Sequence, residues 1–398
     1  MIDQQAPVST AEVVVIGGGI AGASTAFWLA GAGLSPVVVE CLEKVAGATT
    51  AASAHSVRAQ FAEPENIRMM LESLDLFERF PEVLGLPPEH ADIGFVKGGY
   101  LFASTDPDAP ALIETRVAYQ RCHGLADVDL FLPEEIRRRF PWMDQSVTAA
   151  SFRAGDGWID GVRATELFIQ ASGAEVLYET EALDIERASG RVTAVRTNHG
   201  TISTDTVVLA AGPFTSLLAH EPLPLMMVRR HRLIVDARPE VPREAPMTID
   251  AETGAHWRPH QGGALLAWAR PEDPGPPVWP VPADPGFPAM VLQDRNGVSR
   301  LSPFWRDLAP HLAPGELHLA AGQYVVTPDH MPIIGPAAET RGLWLHTGYS
   351  GHGIMGSPSG GRLLANLIAG GGGAKENPFR LDRFTTAGEP VDNEHMVL

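Results

Sequence analysis

Residues Val13–Glu40 read VVVIGGGIAGASTAFWLAGAGLSPVVVE, and this stretch decides the fold. Val13–Ile16 are four consecutive apolar residues, as expected of a short strand buried on both faces. Gly17, Gly19 and Gly22 follow in the spacing G-x-G-x-x-G. The first glycine permits the tight turn, the second lets backbone approach a pyrophosphate, and the third lets helix pack closely on strand. A helix opening at Ile20–Ala21 directs unpaired N–H groups and its positive end at that pyrophosphate. A second apolar run, Val37–Val39, ends on Glu40, the carboxylate that the fingerprint requires about 20 residues on. Glu40 can accept both hydroxyls of an adenosine ribose and repels a 2′-phosphate, which disfavours NADP. The pattern predicts a dinucleotide-binding βαβ unit and leaves FAD and NAD both open.

A chain of 398 residues has room for two or three domains and an ample core. Its formal charge of −18 lacks the basic footprint of a nucleic-acid partner. The opening MIDQQAPVST has neither a basic nor an apolar region, so no secretory signal is expected. The apolar run through the fingerprint is broken by glycines and by Ser24–Thr25, which fits a buried unit better than a membrane span. Cys41 and Cys122 are the only cysteines and form no C-x-x-C, so neither a disulfide framework nor a metal site is indicated. A reducing, cytoplasmic setting is expected.

The small-residue segment Val45–Phe61, VAGATTAASAHSVRAQF, is too polar for a core strand and could lay its backbone against a flat cofactor. Its His55 and Arg58 could equally be surface side chains. Residues 64–80 have helical periodicity and end at Pro81; GGYLFAS is a strand, and a helix runs from Ala109 to Cys122. Arg137–Arg139 read as the solvated face of a short helix. The α/β pattern resumes at Ala149, and TVVLAA (206–211) is a buried strand leading into Gly212–Pro213. Residues 225–268 are β-rich, with a hairpin in AHWRPHQGGALLAWA turned at Gly262–Gly263. Residues 271–288 are too proline-rich for regular structure and read as a loop over a surface or cavity mouth. Leu317–Val326 is a strand, and in LWLHTGYSGHGIMGSPSGGRLLANLI a strand meets a glycine-rich turn. Ser357–Pro358 are expected to cap and open the closing helix.

Several separated segments now agree. The fingerprint, AAGPF (210–214), TPDHMPIIG (327–335) and GYSGHG (348–353) together resemble the FAD-dependent D-amino acid oxidase, glycine oxidase and sarcosine oxidase superfamily. SAHSVRAQF, PENI and KGGYLFAST look most like its branch near the sarcosine and dimethylglycine dehydrogenases. The resemblance covers nearly the whole chain. It implies an α/β architecture: a Rossmann-like FAD-binding domain, discontinuous in sequence, with an inserted antiparallel β-sheet substrate domain. The implied FAD domain comprises residues 1–85, 145–220 and 330–398, and the substrate domain 86–144 and 221–329. Carried over residue by residue, Gly17, Gly19, Ile20, Ala21, Gly22, Glu40 and Cys41 hold the ADP half. Ser53, Ala54, His55 and Arg58 lie along the flavin, Ala182 meets the adenine side, and Ala211–Gly212 border the ribityl chain. Gly351, His352, Gly353, Ile354 and Met355 sit at the pyrimidine edge, where N–H groups before a helix stabilise negative charge.

The resemblance further implies oxidation of the C–N bond of a secondary or N-methylated amine, or an amino acid derivative, to an imine. The expected partner is a small-molecule amine. Tyr324 matches an active-site tyrosine of the sarcosine oxidases, or is a tyrosine packed in its strand; with His352 and Arg58 it completes the catalytic candidates. The flavin is expected to be non-covalent, because the attaching cysteine falls on Gly322 and the attaching histidine on Ser53, two residues from His55. The lysine that promotes oxygen reactivity falls on Leu266, implying slow reoxidation by oxygen. The arginine and lysine that clamp a substrate carboxylate fall on Phe61 and Met355, implying an apolar pocket that rejects sarcosine and glycine. His55, Phe61, Met355, Arg258 and Arg270 are then the substrate-binding candidates, the last two as the cations left for a carboxylate. Trp257 and Trp268 are either further walls or plain core. Two other readings stay open: oxidation of a hydroxy acid, and a non-catalytic flavin-binding assembly factor.

Overall fold

In the computed structural model, which describes residues 8–371, 376–386, 394 and 396, Val13–Ile16 is a fully buried strand. The start of MIDQQAPVST and parts of the last stretch assigned to the FAD domain (372–375, 387–393, 395 and 397–398) lie outside the described residues. Six strands form one sheet in the order Ile333–Pro336, Leu343–Thr347, Val207–Leu209, Val13–Ile16, Pro36–Val39 and Glu175–Leu177. All neighbours are parallel except the edge strand Ile333–Pro336. Both faces are covered, which is why the central strands read as unbroken apolar runs.

Helix Ile20–Gly31 connects the first two strands and packs against the long helix Gly353–Ile368. Gly361 permits the close approach: a Cβ there would lie 2.8 Å from Ser24 Oγ and 2.9 Å from Thr25 N. Ser24 Oγ donates to Ser357 O at 2.9 Å, and the Trp28 indole N–H donates to Pro358 O at 3.0 Å. The closing helix therefore begins at Gly353, ahead of the expected Ser357–Pro358 start, and carries Pro358 inside it. Pro358 has no N–H to give the carbonyl one turn back, while its own carbonyl accepts the Trp28 indole N–H. At the earlier proline, helix Pro64–Glu78 gives way to a short helix Phe80–Leu84 that takes Pro81 in its first turn.

The second sheet has eight strands, in the order Leu317–Val326, Met226–Val235, Gly263–Trp268, Ala255–His260, Met247–Asp250, Tyr100–Ser104, Ala149–Arg153 and Val128–Phe131. It is antiparallel apart from the pairing of Met247–Asp250 with Tyr100–Ser104. Ala149–Arg153 pairs within this sheet, so the boundary expected at 145 falls on the wrong side of that strand. The hairpin turns on Gln261–Gly262, one residue earlier than expected, because His260 pairs with Gly263 and both turn residues have positive φ. Trp257, Leu266 and Trp268 share the face that packs on Phe287, Val291 and Trp305, and form a core behind the sheet. The proline-rich loop lies over the outer strands, with Val278 N–H donating to Gln323 Oε1 at 2.9 Å.

Replacing Gly361 with valine pushes a side chain into the Ser24 backbone, where no flexible neighbour can yield. Overpacking of this kind costs about 1–3 kcal/mol. The expected outcome is a lower melting temperature for Gly361→Val in thermal denaturation of the cofactor-free protein, with Gly361→Ala less affected.

Candidate active site

At the fingerprint the glycines meet backbone. A Cβ on Gly22 would lie 1.9 Å from Gly17 O, and one on Gly17, whose φ is +108°, would lie 2.5 Å from Ala210 O. The turn therefore sits tightly between the helix and the strand end that leads into Ala211–Gly212. Glu40 is buried, and its carboxylate accepts Gly18 N–H at 2.7 Å and Leu42 N–H at 2.8 Å. Those bonds leave lone pairs for ribose hydroxyls. Beside Glu40, the Cys41 thiol is pushed up to about 11 by burial and the neighbouring carboxylate, so it stays protonated. Thr180 N–H donates to Glu40 O at 2.9 Å, which brings the start of strand Ala182–Ala188 to this end of the site. Thr50 is a residue that sequence reasoning missed: its Oγ1 accepts Ile20 N–H at 3.2 Å, at the mouth of the helix.

The other end of the site is a pair of adjoining cavities between the segment 53–58 and the eight-stranded sheet. The first is lined by Ser53, Ala54, His55, Arg58 and Tyr100 on one side and by Gly351, His352, Ile354 and Met355 on another. Tyr324, His256, Ser53 and Ala54 line both cavities. Gly351 packs on the Tyr324 ring so closely that a Cβ would lie 2.3 Å from Cε2, and its φ of +97° suits only glycine. Tyr324 and the Gly351–Met355 turn thus form one surface. The buried His352 has an Nε2 with no hydrogen-bond partner among the described residues. An orphaned buried nitrogen at a helix start, together with a phosphate-sized cradle at Gly17–Ile20, fits FAD lying across both ends.

Three arginines line these cavities, Arg58, Arg230 and Arg232, and none of the lining residues is acidic. Arg58 is buried with its guanidinium 3.8 Å from the centre of the Phe61 ring. Arg232 donates to Ala51 O at 2.7 Å and Ser53 O at 3.0 Å, and Arg258 donates to Ala54 O at 2.9 Å. Burial lowers the Arg258 guanidinium to about 10, still charged at neutral pH.

Several expectations change here. Phe61 is fully buried beneath Arg58 and does not line the cavity, whereas Met355 does, and the Arg58 guanidinium joins the wall of the pocket expected to be apolar. Arg270 is exposed, stacks over Trp268 and does not reach the cavities. Arg258 serves the 53–58 segment through Ala54 O. Leu266 points into the core behind the sheet, while its neighbour Ala267 lines the second cavity; strand alternation puts them on opposite faces. Arg230 and Arg232 line that second cavity, so cations stand close to the place the sequence assigned to Leu266. Trp257 and Trp268 are core. His55 accepts Gly161 N–H on Nδ1 at 3.3 Å and donates from Nε2 to Thr50 O at 3.0 Å, so both ring nitrogens are engaged within the protein.

Sequence reasoning also passed over His256. Its Nδ1 donates to Gly254 O at 2.8 Å, which fixes Nε2 as a bare acceptor in a residue that lines both cavities. Burial holds the His55 and His256 imidazoles down to about 4, against an ordinary 6.5. Between pH 6.5 and 4 the unfolded chain binds protons that the folded one refuses, so their contribution is full above 6.5 and is lost as pH falls toward 4. Denaturation midpoints measured at pH 7, 6 and 5 should fall in that order, with a shallower slope in His256→Gln.

Comparison with known proteins agrees with this geometry. Residues 12–367 match the family model described as FAD dependent oxidoreductase (DAO). The FAD-dependent oxidoreductase domain-containing protein 1 of Xenopus laevis is 30% identical over 445 residues, covering 98% of this chain and 86% of that protein. Mitochondrial dimethylglycine dehydrogenase of Mus musculus is 26% identical, covering 93% of this chain and 43% of that protein. The crystal structure of L-proline dehydrogenase from P. horikoshii superposes with a TM-score of 0.80 at 26% identity, covering 97% of this chain and all of that one. The matched family model spans the cradle, the inserted sheet and the Gly351–Met355 turn, and the chain belongs to the DAO family of FAD-dependent oxidoreductases.

Proposed function

We propose that this chain oxidises the C–N bond of a secondary or N-methylated amine that carries a carboxylate, giving an imine that water hydrolyses. The observation that carries the reading is Arg58, a buried guanidinium on the wall that Tyr324 and His352 share, with no acidic side chain lining the cavity. Glu394 and Asp156 favour its charged form from behind the wall without lining the cavity, and a substrate carboxylate would meet the guanidinium there. FAD, when bound, takes up the hydride equivalent from the carbon next to nitrogen.

The protein's own groups bind, orient and exclude water. Arg58 holds the carboxylate through charge-assisted hydrogen bonds. The Phe61 ring, 3.8 Å beneath, restricts where the guanidinium can turn. Tyr100, Met247, Ile354 and Met355 supply apolar wall around the reacting carbon. The Tyr324 hydroxyl is kept protonated by burial and can donate to the substrate. His256 Nε2 offers a neutral acceptor to an amine N–H, and at about 4 its imidazole stays uncharged beside a cationic arginine. Backbone N–H groups at the start of helix Gly353–Ile368 would stabilise negative charge on a bound flavin.

An anaerobic panel on the purified flavoprotein tests this. N-methyl and cyclic secondary amino acids should bleach the flavin, whereas the matching hydroxy acids should not. Bleaching by hydroxy acids alone would replace C–N by C–O oxidation, and no bleaching by either class would favour a non-catalytic flavin protein. Arg58→Met should raise KM for the carboxylated amine by roughly 10–150-fold, the value of a lost charge-assisted bond of about 1.5–3 kcal/mol. Neutral amines should be unaffected. With His55 bonded at both nitrogens and Gly322 in the cysteine position, acid precipitation should release the yellow chromophore into the supernatant. Colour retained in the pellet would show a covalent bond.

A further inference from the structure

Two residues near the end of the chain reach the wall of the substrate cavity. Glu394 is buried, and its carboxylate takes the place of a cap at helix Pro64–Glu78. Oε1 accepts Ala62 N–H at 2.9 Å, and Oε2 accepts Glu63 N–H and the Asn66 side-chain amide, each at 3.0 Å. The same Oε1 accepts Met396 N–H at 3.1 Å, so the carboxylate also fixes the backbone two residues on. Met396 is buried with Tyr100, Phe102, Met247 and Ile249, and its sulfur accepts from the Gln120 amide at 3.3 Å. Tyr100 and Met247 are themselves cavity walls. The backbone carbonyl of Met396 accepts from Arg58 Nη2, while Gln60 O accepts from Nη1.

A guanidinium has five N–H donors, and these two carbonyls engage both of its terminal nitrogens without exhausting them. With the Phe61 ring beneath, the two carbonyls fix the direction of the guanidinium and take two of its five N–H donors. Arg58 is buried at the edge of a cavity without a carboxylate in its lining, and Glu394 and Asp156 lie close enough behind it to favour its charged form.

We propose that Glu394 is a positioning residue for the substrate carboxylate: by capping helix Pro64–Glu78 and fixing Met396, it aims the Arg58 guanidinium into the cavity. This rests on the reading of Arg58 as the carboxylate site, and it adds that the far end of the chain is part of that site. The chain then discriminates acids from their neutral isosteres only while Glu394 is docked.

The experiment uses the FAD-loaded full-length protein and a probe that needs no turnover, titrating benzoate and its uncharged isostere benzamide while following the flavin absorption spectrum. Glu394→Ala should weaken benzoate about tenfold and leave benzamide and the FAD content unchanged. Glu394→Asp should recover part of the loss, and in an Arg58→Met background Glu394→Ala should have no further effect on benzoate. Equal weakening of benzoate and benzamide, loss of FAD, or an undiminished effect without Arg58 would each overturn the proposal by making Glu394 a general structural residue. If wild-type protein binds benzoate no better than benzamide, the Arg58 reading itself fails, and the role of Glu394 falls with it. Benzoate selectivity in the wild type that survives Glu394→Ala unchanged leaves the Arg58 reading standing and refutes the positioning role alone.

Discussion

The site depends on how an irregular segment is held between two sheets. Residues 49–54 form a single helical turn and an extended exit, with few backbone partners of their own. Arg232 and Arg258, from two strands of the eight-stranded sheet, donate to the carbonyls of Ala51, Ser53 and Ala54. Those carbonyls are partly buried and have these guanidinium groups as donors. From the other side, Thr50 binds the first helix through its hydroxyl and His55 through its carbonyl. A change in either sheet therefore moves the wall on which a flavin ring would rest.

This arrangement explains a concentration of positive charge that would be costly elsewhere. Arg58, Arg230, Arg232 and Arg258 lie within or against one cavity system, and none of them ion-pairs with a carboxylate among the described residues. Burial lowers the Arg58, Arg232 and Arg258 guanidinium groups from their ordinary value, yet backbone carbonyls hold each of the three in place. Neutral acceptors orient a guanidinium without cancelling its charge. The result is a pre-set positive field, which suits both an anionic substrate and a cofactor whose ring gains negative charge on reduction. His256 and His352 stay neutral in the same field, since burial and nearby arginines both disfavour their protonated forms.

The polar interior of the other sheet has a different purpose. Thr25 Oγ1 bonds His346 Nδ1 at 2.7 Å, and His346 Nε2 bonds the Tyr349 hydroxyl at 2.6 Å, all fully or nearly buried. Burial lowers His346 to about 3 and raises the Tyr349 hydroxyl, so the chain of bonds stays neutral. It links the first helix to the strand and turn that carry Ser350–His352, and so fixes the distance between the two ends of the site. A half-satisfied network here would be worse than an apolar core, because each orphan is far from water.

By itself the sequence determined the parallel sheet, the phosphate cradle and the order of the segments. Those are written in local patterns: apolar runs, glycine spacing and a carboxylate at the end of the second strand. Tyr324 and the Gly351–Met355 turn were also legible, since a shared motif order marks them. What only tertiary structure decided is which side chains face the cavity. Leu266 and Ala267 are adjacent, and strand alternation sends one into the core and the other to the site. Phe61 and Arg58 are three residues apart, and packing buries the ring while turning the guanidinium to the wall. Ala149–Arg153 chose its sheet by pairing with strands on either side, which no local pattern reveals. Glu394 is separated from Ala62 by most of the chain, and a contact of that span exists only because folding brings the two together. Sequence spacing specifies what a residue can do; the direction of its Cα–Cβ bond in the packed structure specifies to what it does it.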